Sequence, residues 1–181
     1  MLSELTWDFP LPRTHTGIPL ANAVTGLLIW GEGRDLRITV SRADFWDHRG
    51  GLNWSPKQNF SDIRSRLEAN DEPGLRALFK TDTEDTPGQP ERPSVLPVGR
   101  IDLEFADGSV LKSGKINFAD GKVIVAYERD GQDFEAVIEL AMEEQLFYVE
   151  LAEDEDCSIK CVTSWDYIGD YLKSISFDAP K

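Results

Sequence analysis

Basic residues are scarce in this 181-residue chain: 19 Lys and Arg stand against 33 Asp and Glu, for a formal charge of −14. The deficit is uneven. Residues 1–60 carry six acids and six bases, whereas residues 61–181 carry twenty-seven acids and thirteen bases. A phosphate backbone or an anionic lipid surface would be repelled by the second part, so neither nucleic acid nor membrane is an expected partner. No apolar run approaches the roughly 18 residues of a membrane span, and residues 1–8 lack the basic start and apolar stretch of a signal peptide. As written the chain reads as cytoplasmic, or as secreted or periplasmic if a signal was removed.

Cysteine and histidine are as sparse as base. On a strand through residues 157–163, the thiols of Cys157 and Cys161 would share one face about 13 Å apart, beyond disulfide reach. Both are expected to be buried small residues. His15 and His48 lie 33 positions apart without an HxH or HExxH pattern. A zinc site built from them with Asp44 and Asp47 is therefore considered and not expected. There is no Gly-x-Ser-x-Gly elbow, no phosphate loop and no dinucleotide glycine fingerprint. Neither metal nor cofactor is expected.

What the chain does hold is concentrated between Trp7 and Trp54, which span four of its five tryptophans and both histidines. Indole faces beside guanidinium, imidazole, amide and carboxylate groups supply the apolar platform and polar rim that sugar rings need. Arg13, His15, Asn22, Trp46, Asp47, His48 and Trp54 are the candidate residues for binding carbohydrate or for a domain interface. Trp30, inside an apolar strand, reads as core, and Trp7 as a staple for the N-terminus. Glycoside hydrolysis needs one protonated and one ionised carboxyl across the sugar. Asp44 and Asp47, the carboxylates beside Trp46, are the only pair in the cluster to consider, and their other reading is turn capping and pairing with Arg42 or Arg49. No catalytic residue is assigned. Residues 128–156 set twelve acids against Arg129 alone, without EF-hand spacing, and read as a solvated strand face.

The length fits one domain over residues 1–181. Residues 26–30 and 35–40 read as strands joined by a hairpin through 31–33. Phe60, Ile63 and Leu67 fall at helical spacing after a Ser61 cap, and a second short helix starts at Asp71-Glu-Pro-Gly and runs through Leu75, Leu78 and Phe79. The two make a helical insertion over 59–80. Residues 81–99 hold four of the ten prolines and read as a Pro-rich loop. Segments 100–105, 110–118, 122–128, 132–140 and 146–151 follow as strands, with Asp-Gly pairs at 107–108, 120–121 and 130–131 marking the turns of an antiparallel meander. Ile168, Tyr171, Leu172 and Ile175 are spaced as on a helix. The expected class is mainly β, an antiparallel β-sandwich of supersandwich type with a short two-helix insertion.

Residues 11–26 (Leu-Pro-Arg-Thr-His-Thr-Gly-Ile-Pro-Leu-Ala-Asn-Ala-Val-Thr-Gly), the Leu-Ile-Trp-Gly strand after them, and Ile38-Thr-Val-Ser-Arg-Ala-Asp-Phe-Trp46 together resemble a known pattern. It is the start of the N-terminal β-sandwich domain of (α/α)6-barrel glycosidases, closest to glycoside hydrolase family 95, the alpha-L-fucosidase-like group. Asn22, Gly26 and Trp46 match that pattern, whereas Ala21, Ala23 and Val24 stand where the family has Gly, Gly and Arg. The resemblance implies a non-catalytic domain of a carbohydrate-metabolism enzyme that packs on a catalytic barrel, with the catalytic carboxylates carried by the barrel. Whether the protein is itself an enzyme is left open. The partners expected are carbohydrate or an (α/α)6 barrel, with a homo-oligomer also open; a stand-alone carbohydrate-binding module and a structural association domain are the competing readings.

Overall fold

The computed structural model describes residues 3–49, 56, 58–79, 93–153 and 155–179. Among them, ten strands run in chain order as β1 (Glu4–Asp8), β2 (Ile18–Ala21), β3 (Thr25–Glu32), β4 (Asp35–Asp47), β5 (Ser94–Glu104), β6 (Val110–Asn117), β7 (Lys122–Arg129), β8 (Gln132–Leu140), β9 (Phe147–Glu150) and β10 (Ser158–Thr163). Helices α1 (Phe60–Glu68) and α2 (Glu72–Phe79) lie between β4 and β5, and α3 (Ser164–Ser174) follows β10. The strands form two five-stranded antiparallel sheets, ordered β1-β6-β7-β8-β9 and β10-β5-β4-β3-β2. This is the expected mainly-β sandwich. No helix among the described residues is long and apolar enough to cross a membrane.

The chain divides into two compact units. The sandwich unit holds the residues up to Trp46 and Val95–Gly169; the second holds Asp47–Ser94 and Asp170–Ala179. In the sandwich, strict alternation turns one face of each sheet inward. Val123, Val125 and Tyr127 of β7, Ile138 of β8, Ile29 of β3 and Ile38 of β4 are fully enclosed, because successive side chains on a strand point to opposite faces. The sheets approach closely where Ile18 of β2 meets Gly114 of β6: a Cβ on Gly114 would collide with the Ile18 side chain.

The meander β6-β7-β8-β9 is antiparallel as expected, with one register shift in β6 between Leu111 and Ser113. Asp130 and Gly131 both adopt positive φ (53° and 76°), the backbone that a tight hairpin turn demands. Asp107-Gly108 behaves differently from the expectation, since it joins no hairpin and carries the chain from β5 in one sheet to β6 in the other. The crossover is fixed by backbone bonds to the β3–β4 turn, Phe105 N to Arg34 O at 3.1 Å and Leu111 N to Gly33 O at 2.7 Å. Arg34 also pairs with Glu104 and Asp107.

Three further expectations need correction. The Pro-rich loop ends early, because β5 already begins at Ser94; Pro97 is tolerated there because β10 pairs only as far as Gly99 and Thr163. Residues 80–92 lie outside the described residues. The cap of α1 is Asn59, whose side chain accepts from Asp62 N at 3.0 Å, and not Ser61. Cys157 is half-buried and Cys161 exposed, because β10 is an edge strand and little covers its flank.

One buried polar cluster closes an end of the sandwich. Glu155, in the β9–β10 crossover, has a fully enclosed side chain. It accepts a hydrogen bond from the Tyr127 hydroxyl at 2.8 Å and pairs with Arg129 at 2.8 Å. Tyr127 stacks on Phe105, with ring centroids 4.3 Å apart. Burial, reinforced by the Glu155 contact, pushes the Tyr127 phenol well above its usual value.

Glu155→Ala strands Arg129 and Tyr127 without their acceptor, so a loss of about 3–5 kcal/mol is expected in urea unfolding; Tyr127→Phe should cost about 1–3 kcal/mol. The raised Tyr127 value adds a pH signature. Its stabilising contribution is complete below the ordinary tyrosine value of about 10 and is lost as pH rises toward the folded-state value. Alkaline unfolding should therefore be shallower in Tyr127→Phe than in the parent.

Candidate functional site

The residues singled out from the sequence fall in several places. Arg13 and His15 are exposed and belong to a 3-10 turn (Thr14–Thr16) ahead of β2. That turn is held by the Thr14 hydroxyl bonded to the Tyr167 hydroxyl at 2.5 Å. Asn22 lies at the β2–β3 turn, where its side-chain oxygen accepts from Val24 N at 2.9 Å and Thr25 N at 2.7 Å. Its amide donates to Ala141 O at 2.8 Å, and Arg42 of β4 reaches Gln145 in the same β8–β9 connection. Asn22 thus ties the two sheets together at the end opposite Glu155, with its polar atoms already engaged. Trp46 is 43% exposed near the end of β4, next to Phe45 at 41%.

The sandwich does not gather these residues into one surface. Trp30 pairs with Arg37 across β3 and β4, and the Thr14–Thr16 turn stands on the Trp30 side, since a Cβ on Gly17 would lie 3.2 Å from the Trp30 Cβ. Trp46 is nine residues beyond Arg37 on the same strand, about 30 Å at 3.3 Å per residue. Arg13 and His15 therefore keep to one end of the sheet, while Asn22 and Trp46 keep to the other.

Asp47 and His48 belong to the second unit, and Trp54 lies outside the described residues. His48 is exposed. Asp47 is not, with its carboxylate closed over by Arg49 through Nε–Oδ1 and Nη2–Oδ2 contacts of 3.0 Å each. Arg49 also donates to Ile175 O at 2.7 Å and lies 4.4 Å over the Phe177 ring. The hydrogen bond from Arg49 holds the Asp47 carboxyl below the usual range, and Arg42 does the same for Asp44. Both are biased toward the charged form, whereas acid catalysis at a glycosidic bond needs one carboxyl kept neutral.

The outer face of the β10-β5-β4-β3-β2 sheet carries a site that the sequence reading missed. Trp30 is buried, as expected for a core residue, at 7% exposure. It nevertheless faces opposite to Ile29, and it is sealed by two guanidinium groups, Arg37 at 5.2 Å and Arg100 at 5.6 Å from the ring centre. Such stacking places a cation on the electron-rich face of the indole. The Trp30 Nε1 donates to Thr39 at 2.9 Å. Arg100 also lies 4.9 Å over Tyr167 and makes a two-point pair with Asp102 at 2.5 and 2.8 Å. Beside this stack, Asp35, Arg37, Asp102, Leu103, Glu104, Ser158 and Lys160 line an open cleft of about 170 Å³. The signal available in sequence was charge at i, i+2 within strands, Asp35 with Arg37 and Arg100 with Asp102, which puts opposite charges side by side on one face.

Among the described residues, no group of three or more His, Cys, Asp or Glu is arranged to hold a metal ion. No protein-family model and no curated protein matches the chain.

Asp47 yields an acid-side prediction. Its folded-state value is depressed, so its contribution to stability is present above the unfolded carboxyl value near 3.9 and fades as pH falls through the lower folded value. Asp47→Asn should lower the thermal midpoint at pH 7, and the gap to the parent should close below about pH 4 in a series of melts.

Proposed function

We propose that this chain is the N-terminal, non-catalytic β-sandwich part of an alpha-L-fucosidase-like glycoside hydrolase, bearing on an (α/α)6 catalytic barrel. The observation that carries the reading is the two-helix insertion. None of the residues in α1 or α2 is buried, and Phe60, Leu67 and Phe79 stand 77%, 58% and 44% exposed. Apolar side chains on helices that find no cover among the described residues suit a partner surface. A helical barrel, which presents further helices, is a natural complement by ridge-into-groove packing. The two-sheet sandwich is the architecture the family resemblance implies, and the arginine-bound, ionised state of Asp44 and Asp47 fits a domain that leaves the chemistry to its barrel. The exposed pair Phe45 and Trp46 favours the second reading, a stand-alone carbohydrate-binding module in which Trp46 stacks on a sugar ring.

The test joins this chain to the polypeptide encoded after Lys181. A helical-repeat barrel there, slowing hydrogen exchange in α1 and α2 relative to the chain alone, is the expected outcome. A stop codon, or unchanged exchange in the joined protein, would sink the proposal. Phe60→Asp should weaken association with the barrel by about 2 kcal/mol or more, while the stability of the chain alone moves within about 0.5 kcal/mol. Oligosaccharides should leave the tryptophan fluorescence of the isolated chain unchanged. A change that disappears in Trp46→Ala would favour the binding module instead.

A further inference from the structure

We propose that the cleft on the outer face of the β10-β5-β4-β3-β2 sheet binds a carboxylate-bearing sugar, a single uronate-type ring, whose carboxylate is taken by Lys160 and Arg37. The inference concerns the sandwich unit alone and does not depend on barrel packing.

Charge pairing decides the sign of the ligand. Each acid at the cleft already has an arginine: Asp35 has Arg37 at 2.9 Å, Asp102 has Arg100, and Glu104 has Arg34. Lys160 lines the same cleft without an ion-pair partner among the described residues, although it stands opposite Asp102 in the β10–β5 register. Arg34 is shared between Glu104 and Asp107, so the cleft and its rim are close to neutral as a whole, and the Lys160 ammonium is the cation in it still open to an anion, within a protein that is otherwise strongly acidic. A free anion approaching the body of the molecule is repelled, so only one that also makes short-range contacts in the cleft is retained.

Preorganisation decides where the anion sits. Arg37 is fixed from two directions, stacked on the Trp30 face and bonded to Asp35 through Nη2. Its remaining N–H groups have no partner among the described residues, so a guanidinium edge is held in place with little side-chain entropy left to lose. Lys160 on the edge strand supplies the second, more mobile cation.

The remaining lining decides the class. Asp35 and Glu104 each use one carboxylate oxygen on an arginine and keep the other as an acceptor for a hydroxyl. Ser158, opposite Glu104 in the register, offers a hydroxyl of its own. Acceptors and donors alternating around a cationic corner match a ring that carries several hydroxyls and one carboxylate. A volume of about 170 Å³ suits one such ring, below the roughly 300–1,000 Å³ of pockets for drug-sized ligands.

The test is an amide-resolved NMR titration of the 15N-labelled full chain with glucuronate, glucose and acetate. Glucuronate should move the amides of 35–37, 102–104 and 158–160. Its affinity should fall about tenfold in Lys160→Gln, the weight of one charge-assisted contact, and be largely kept in Lys160→Arg. Added salt should weaken it further. Glucose binding as tightly as glucuronate would overturn the assignment, as would acetate moving the same amides equally well, which would mark a generic anion contact. Unchanged affinity in Lys160→Gln, or no shift with glucuronate, would overturn it too. The Lys160 side chain is exposed and has no ion-pair partner among the described residues, so the variant's spectrum should otherwise superimpose on the parent's.

Discussion

A carboxylate sealed from water sets the terms for the rest of the sandwich. Glu155 arrives in the β9–β10 crossover and is enclosed completely, so its charge has to be answered by protein groups, and Tyr127 and Arg129 of β7 answer it. Ala106, in the β5–β6 crossover, directs its N–H toward the same carboxylate at 3.5 Å. Two passages between the sheets are thereby pinned at one place. With the β9–β10 crossover fixed, β10 pairs along β5 and puts Ser158 and Lys160 beside Asp102 and Glu104. The outer-face cleft is a product of that placement. At the far end, Asn22 and Arg42 grip the β8–β9 connection, so polar contacts fasten both ends of a body whose middle is held by aliphatic packing.

The chemistry of the sandwich surface follows from which charges are already paired. Arginines neutralise Asp35, Asp102, Glu104 and Asp44, and the second unit treats Asp47 in the same way. Carboxylates that spend one oxygen on a guanidinium keep the other as a hydrogen-bond acceptor.

The fold was largely legible and the site was not, for reasons that particular residues make plain. Alternation in 122–129 and 132–140, with Asp130-Gly131 between them, marks a hairpin on local grounds alone, because pleat period and turn backbone are both local properties. Asp107-Gly108 has the same signature but serves a crossover, since the choice of sheet depends on Arg34 some seventy residues away. The tryptophans show the same limit: Trp30 reads as core and is buried, but the arginines that seal it come from β4 and β5, and Trp46 is carried to the far end of a thirteen-residue strand. Strand length and cross-strand register decide such distances, and neither is written in residue type. Asn22 was chosen for its match to a glycosidase pattern; its hydrogen bonds give it a task in joining sheets.

The pairing of β1 with β6 carries a consequence for how the protein comes into being. Glu4 lies opposite Asn117, so β1 waits for more than a hundred further residues before its neighbour exists. The next three, β2 to β4, pair consecutively as each emerges. During vector synthesis the sheet that ends up carrying the cleft thus has a hairpin core early, whereas the β1 sheet is completed only after β6 to β9 exist, and β10 joins the edge of the cleft-bearing sheet later still.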